Sequence, residues 1–191
     1  MIKNERGRKV TRIYIALLRG INVGGHNMIK MAELKQVLEK MGLQKVKTYI
    51  QSGNVLFESE KEADTLSQQL EEEIKKEFGF SVPVVLRTAE ELDQVINDCP
   101  FSIDSLLEGE SVQVAFLTET PSLDGINQLS AVNSGMDEYQ INGKNVYLFF
   151  RQSIRNSKLA TQLPKLGVPA TVRNWKTVIK LAAMVRELES N

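Results

Sequence analysis

The chain has 191 residues, with 24 Lys and Arg against 24 Asp and Glu, so its formal net charge is zero. A lone Cys99 excludes a disulfide framework, and one His with one Cys argues against a zinc site, which needs about four ligands. No run approaches the roughly 18 apolar residues of a spanning helix, and the opening MIKNERGRKV lacks a signal peptide's apolar stretch, so the expectation is a soluble, cytoplasmic protein without a membrane role.

In chain order, residues 1–11 form a basic arm. Residues 12–18 read as a strand that is apolar on both faces, hence central in its sheet. The segment RGINVGGHN leads to a helix whose apolar positions Met31, Leu34, Val37, Leu38 and Met41 follow the 3.6 period, with Gly42 placed to end it. Strands at 45–50 and 54–58 flank the turn Gln51-Ser52-Gly53. A second helix runs from about Glu62 to Phe78, with Glu71→Lys75 and Glu72→Lys76 pairs expected on its outer face. A strand at 82–87 follows, its Pro83 pointing to a sheet edge or a strand start. This order, β-α-β-β-α-β, is the ferredoxin-like split unit.

A helix at Ala89–Asn97 then leads to a strand at Val112–Leu117 and a short helix near Ser122–Leu129. A hairpin of Asp137–Ile141 with Asn145–Phe150 turns on Asn142-Gly143. Helices at Ile154–Leu163 and about Val172–Glu189 finish the chain, the last with Thr171 as its expected N-cap and Trp175, Val178, Ile179, Ala182, Val185 and Leu188 as its buried stripe. The second half therefore reads β-α-β-β-α-α, a degenerate copy of the first in element order, with no sequence repeat to accompany it. The fold class is α+β, with a ferredoxin-like subdomain at 12–87 and a second α+β subdomain at 88–191 packed on it.

Charge is segregated. Residues 1–50 carry a balance of +8, residues 51–100 of −8, residues 101–150 of −6 and residues 151–191 of +6. Basic ends packing beside an acidic middle would explain this; the alternative is that both ends meet in a positive surface for an anion.

Three stretches stand out: Ala16-Leu17-Leu18-Arg19-Gly20-Ile21-Asn22-Val23-Gly24-Gly25, Thr48-Tyr49-Ile50-Gln51-Ser52-Gly53-Asn54-Val55, and Thr171-Val172-Arg173-Asn174-Trp175-Lys176-Thr177-Val178. Together they resemble the bacterial domain-of-unknown-function family 1697, in order and over nearly the whole chain. The resemblance implies an α+β protein of ferredoxin-like character and implies no metal, cofactor or reaction. His26 stands where members of that family commonly carry lysine, so an anion contact there would depend on pH.

The candidate site follows from these segments. About eleven residues separate Leu18 from Lys30, against a median of ~4–6 for such connections. Gly20, Gly24 and Gly25 permit positive φ, and successive amides with Asn22 could form an anion-holding nest beside the start of a helix, bracketed by Arg19 and Lys30. Neither the Walker A loop nor the dinucleotide fingerprint is present. Gln51, Ser52 and Asn54 would orient a ligand, and Arg173, Asn174 and Trp175 would add the start of the last helix; the plainer reading makes all of these turn or core residues. No residue takes an assigned catalytic role: His26 has no obvious orienting partner except Asn22 and Asn27, and Cys99 has no activator. The leading expectation is a small anionic, phosphorylated or nucleotide-like ligand at the glycine-rich loop. A non-catalytic interaction or dimerisation module is the alternative. RNA binding comes last, resting on Tyr14 and Phe57 as stacking residues and on the basic arm, while a pI near 6.6 argues against nucleic acid.

Overall fold

The computed structural model describes residues 10–132, 135–154 and 157–190, so residues 1–9 of the basic arm lie outside the described residues. Within them the chain forms two four-stranded antiparallel sheets and six α-helices. It divides into two compact units, residues 1–93 with 181–191, and residues 94–180. The crossing points fall inside helices α3 and α6 rather than at residue 87.

The first unit holds β1 (Arg12–Leu18), α1 (Met31–Lys40), β2 (Gln44–Tyr49), β3 (Asn54–Ser59), α2 (Ala63–Phe78) and β4 (Val84–Thr88). The sheet order is β2-β3-β1-β4, so β1 is central, as its two apolar faces require. Tyr14, Ala16 and Leu18 of β1 join Val55 and Phe57 of β3 in a core closed by Leu34 and Leu38 of α1 and Leu66, Leu70 and Ile74 of α2. Pro83 precedes β4, which lies at the sheet edge where a missing N–H is tolerated. On α2 the expected i,i+4 pairs give way to other contacts. Glu71 accepts from the Val84 amide (2.8 Å), tying α2 to β4, and Lys76 pairs with Glu73 (2.9 Å).

α3 (Ala89–Asn97) leads into the second unit, which holds β5 (Ser111–Leu117), α4 (Leu123–Ser130), β6 (Glu138–Asn142), β7 (Asn145–Phe150), α5 (Lys158–Gln162), a 3-10 turn at Leu163–Leu166 and β8 (Ala170–Asn174). The order is β6-β7-β5-β8. Ala115, Leu117, Val146 and Leu148 pack against Leu129, Leu159 and Leu166.

The end of the chain corrects the sequence reading. Residues 170–174 are a strand, so the second half ends β-α-β-β-α-β before its last helix, α6 (Trp175–Glu189). Thr171 is not the N-cap: it lies in β8 opposite Phe116, and the cap is Asn174, whose Oδ1 accepts from the Thr177 amide (2.8 Å). β-branched Thr171 and Val172 favour the strand, and Pro169 before it reads equally well as strand entry. Trp175 is half-buried rather than a core anchor, and Ile179 is 43 % exposed rather than part of the stripe. The helix expected from Ile154 forms only from Lys158 among the described residues.

The two sheets also share a register. Ala16 lies between Val55 and Leu86, and Ala115 between Val146 and Val172; Leu17 lies between Asn54 and Val85, and Phe116 between Asn145 and Thr171. Laid in that register, the segments Val82–Thr88 and Val168–Asn174 carry the same residue at three equivalent positions, Val82 and Val168, Pro83 and Pro169, and Arg87 and Arg173. Both segments end in a helix cap, since the Thr88 hydroxyl accepts from the Glu91 amide as Asn174 does from Thr177. Replacing Asn174 by Ala should cost about 1 kcal/mol in chemical denaturation, and Asn174→Asp should retain most of it; an unchanged Asn174→Ala midpoint would place the cap elsewhere.

Candidate functional site

The β1–α1 connection, residues 19–30, is built on the first unit as a small hairpin. At its root the Leu18 amide donates to the Gly53 carbonyl (2.8 Å) and the Arg19 amide to Pro83 (2.9 Å). Ile21 and Ile29 are 1 % and 2 % exposed and enter the helix-covered core, so both arms are anchored by burial. Between them the Asn22 amide donates to Asn27 (3.2 Å) and the His26 amide to Val23 (3.1 Å), around Gly24 and Gly25 with φ of 59° and 78°. Two positive φ values at the centre of a two-residue turn are what a tight hairpin needs, and glycine meets them without a Cβ clash. The glycines thus serve first as a hairpin tip.

Asn22 ties the hairpin to the β2–β3 turn. Its Nδ2 donates to the carbonyls of Ile29 (2.9 Å) and Gln51 (2.8 Å), and its Oδ1 accepts from the Ile29 amide (2.8 Å). Asn54, fully buried, donates to Tyr49 O (3.0 Å) and Ser52 Oγ (3.1 Å) and so shapes the turn from inside. A Cβ on Gly53 would lie 2.7 Å from Ile21 Cδ1 and 2.8 Å from Leu18 Cβ, so hairpin and turn are in direct contact. Asn22, Asn27 and Ile50 have φ near 50° (55°, 49° and 49°). For the β-branched Ile50 that conformation is strained.

Of the expected site residues, Arg19, Gly20, Asn22, Gly24, Gly25, Lys30, Gln51, Ser52 and Asn54 belong to this one hairpin-and-turn assembly. Asn22 and Asn54 spend their side chains on it. The groups left toward solvent are Arg19, which has no ion pair among the described residues, Lys30, which meets Glu33 at 3.0 Å with both side chains exposed, and Gln51. A hollow of about 440 Å³ is lined by Asn22, Met28 to Glu33 and Gln51, at the start of α1, where the Lys30 side chain makes no capping bond. Val23, Met28 and Ile50 stand 66 %, 63 % and 48 % exposed on this assembly.

Arg173, Asn174 and Trp175 belong to the second unit and take other roles. Arg173 is 7 % exposed in β8, donates to Thr171 Oγ1 (2.6 Å) and Val172 O (2.9 Å), and has its pKa pushed down to about 10 by burial. It is not an exposed cation in the first turn of a helix, the place the sequence reading gave it. Arg87, its register equivalent, is 4 % exposed, with its pKa lowered by the same desolvation. Tyr14 and Phe57 stack on each other (5.8 Å) within the helix-covered core, so they offer no surface for a base. Sequence reasoning missed Ile29 and Ile50; the Asn-Gly-Gly-Asn-like spacing of Asn22 to Asn27 was the available signal for a hairpin.

The family described as protein of unknown function (DUF1697) matches residues 12–147. The chain belongs to the DUF1697 family. The hairpin, the β2–β3 turn and most of the second sheet lie inside the matched span, while β8 and α6 lie beyond it. Among solved structures, the chain is similar to the conserved bacterial protein SP0830 from Streptococcus pneumoniae, with 30 % identity, a TM-score of 0.76, and coverage of 92 % of this chain and 99 % of that one. No curated protein matches the chain. Among the described residues of this DUF1697 protein, no His, Cys, Asp and Glu group could hold a metal ion, and no helix is long and apolar enough to cross a membrane.

Gly53 provides a direct test of the packing. Gly53→Ala should destabilise the protein by about 2–3 kcal/mol, combining left-handed strain with overpacking. Gly143→Ala, at the equivalent turn with open space around its Cβ, should cost only about 1 kcal/mol. Equal effects in urea denaturation would show that hairpin and turn are not in contact.

Proposed function

We propose that this DUF1697 protein is a tandem pair of ferredoxin-like units whose first unit binds a small anionic ligand in the hollow at the start of α1. The shared strand order and register support the pairing of units. The observation that carries the functional reading is a difference between them. The strand-to-helix connection takes twelve residues in the first unit, 19–30, and five in the second, 118–122. One crossover geometry is therefore closed by five residues, and the longer connection answers to something other than chain closure.

What the longer connection adds is chemical. It sets Lys30 at the uncapped start of a ten-residue helix, where the aligned peptide dipoles favour negative charge, and leaves Arg19 exposed at the root of the same connection. Gln51 supplies an uncharged amide to orient the ligand. The Lys30–Glu33 pair is exposed and weak, so an incoming phosphate or carboxylate can displace Glu33 from Lys30 at little cost. No feature of the site supplies a nucleophile or general base, and the reading stops at binding.

The exposure of Val23 and Met28 on the hairpin favours a second reading, in which the same surface docks another protein. Thermal shift and calorimetric titration with inorganic phosphate, phosphorylated metabolites and nucleotides separate the two. Anion binding predicts stabilisation by one ligand class, lost about tenfold in affinity in Arg19→Ala, with the melting temperature of the free protein unchanged. Absence of any stabilised ligand class, or an Arg19→Ala variant that binds as well as the parent, contradicts it.

A further inference from the structure

The second unit carries a separate hollow. After α3 the chain runs through residues 100–110, with a 3-10 turn at Ile103–Ser105, before entering β5. Between this segment and the end of β7 lies a cavity of about 350 Å³. Two phenyl rings line it: Phe101 and Phe149, centroids 5.3 Å apart and tilted by 45°, both half-buried. Leu107, 70 % exposed, stands at the rim.

The polar part of the wall is fixed. The Arg151 guanidinium lies 4.6 Å from the Phe149 ring centre, held there by Glu110 (3.0 Å) and Glu138 (2.6 Å). Glu110, with a side chain 10 % exposed, accepts through its other oxygen from the Leu107 amide (3.0 Å). A cation placed over a ring and clamped by two carboxylates keeps its orientation without a ligand. The hydroxyls of Ser102 and Ser105 complete the lining.

The geometry points to a binding site for a small aromatic amine, its ring against Phe101 and Phe149 and its ammonium toward the acidic rim. The volume suits one ring system, near the lower end of the range for small-molecule pockets. Half-exposed rings in a concavity gain from stacking a further ring as well as from burial. Charge selects the kind of ring. Among the described residues the lining carries one acid, Glu110, and one base, Arg151, which Glu110 and Glu138 already match, and the segment that borders the hollow adds Asp104 and Glu108. A phosphate or carboxylate finds no uncommitted cation in the lining, whereas the exposed Asp104 and Glu108 of the same segment add a negative potential that favours an ammonium.

Tryptamine and indole-3-acetate, which share a ring and differ in charge, test this on the full chain by NMR titration. Tryptamine should give saturable amide shifts confined to residues 100–110 and 149–151, and indole-3-acetate should bind at least about fivefold more weakly, a gap that narrows with salt. Phe101→Leu should weaken tryptamine about tenfold. The surface double variant Asp104→Lys with Glu108→Lys, which leaves the rings untouched, should reverse the preference. No saturable shift at about 10 mM tryptamine, a weak affinity even for a fragment, overturns the assignment, as does equal binding of the two indoles or indifference to both variants.

Discussion

Each unit is organised by one antiparallel contact at the end of its central strand pair: the Leu18 amide on Gly53 O at 2.8 Å in the first, the Leu117 amide on Lys144 O at 2.9 Å in the second. Beside each sits a second bond of the same kind, Arg19 to Pro83 and Thr118 to Pro169. These bonds fix where the central strand stops and which way the chain leaves it. Given that constraint, alternation decides which side chains face the helices, and a slip of one residue would turn Tyr14, Ala16 and Leu18 out of the core. With the frame fixed, the two units differ mainly in their connections.

The first-unit connection is therefore the most informative part of the molecule. Its arms are not free loop: Ile21 and Ile29 are core residues, and Asn22 closes three hydrogen bonds, two with the Ile29 backbone and one with the Gln51 carbonyl. Backbone strain at Ile50, Asn22 and Asn27 is sustained because the surrounding contacts over-determine the shape. The tip, from Val23 to Met28, is exposed, as are Arg19 and Lys30 at the two ends of the connection. Anchored arms and a presented tip are consistent with the binding role proposed for this connection.

Much of the fold was legible in the sequence, for reasons specific to each element. β1 follows from apolar residues on both faces, α1 from its 3.6-residue apolar period, and the Asn142-Gly143 hairpin from turn chemistry, because those signals are local. β8 was not legible: its five residues, Ala170 to Asn174, run directly into α6, and a strand that short has no periodicity to set against fifteen helical residues. Its identity comes from pairing with β5, a long-range contact. The same holds for Arg173, which looks like a surface cation at a helix start and is buried because the strand's alternation turns it inward. The glycine-rich segment was recognised as special, but its hairpin form depends on Asn22 reaching Gln51, twenty-nine residues away.

The central claim is that residues 19–30 are a docked element and not a mobile connection, and amide hydrogen exchange at Ile29 tests it most directly. That N–H donates to Asn22 Oδ1 at 2.8 Å and has no partner in a regular element. The account predicts protection comparable to the amides of β1, falling sharply in Asn22→Ala while β1 stays protected. Exchange at Ile29 near the unprotected rate in the parent protein would contradict it.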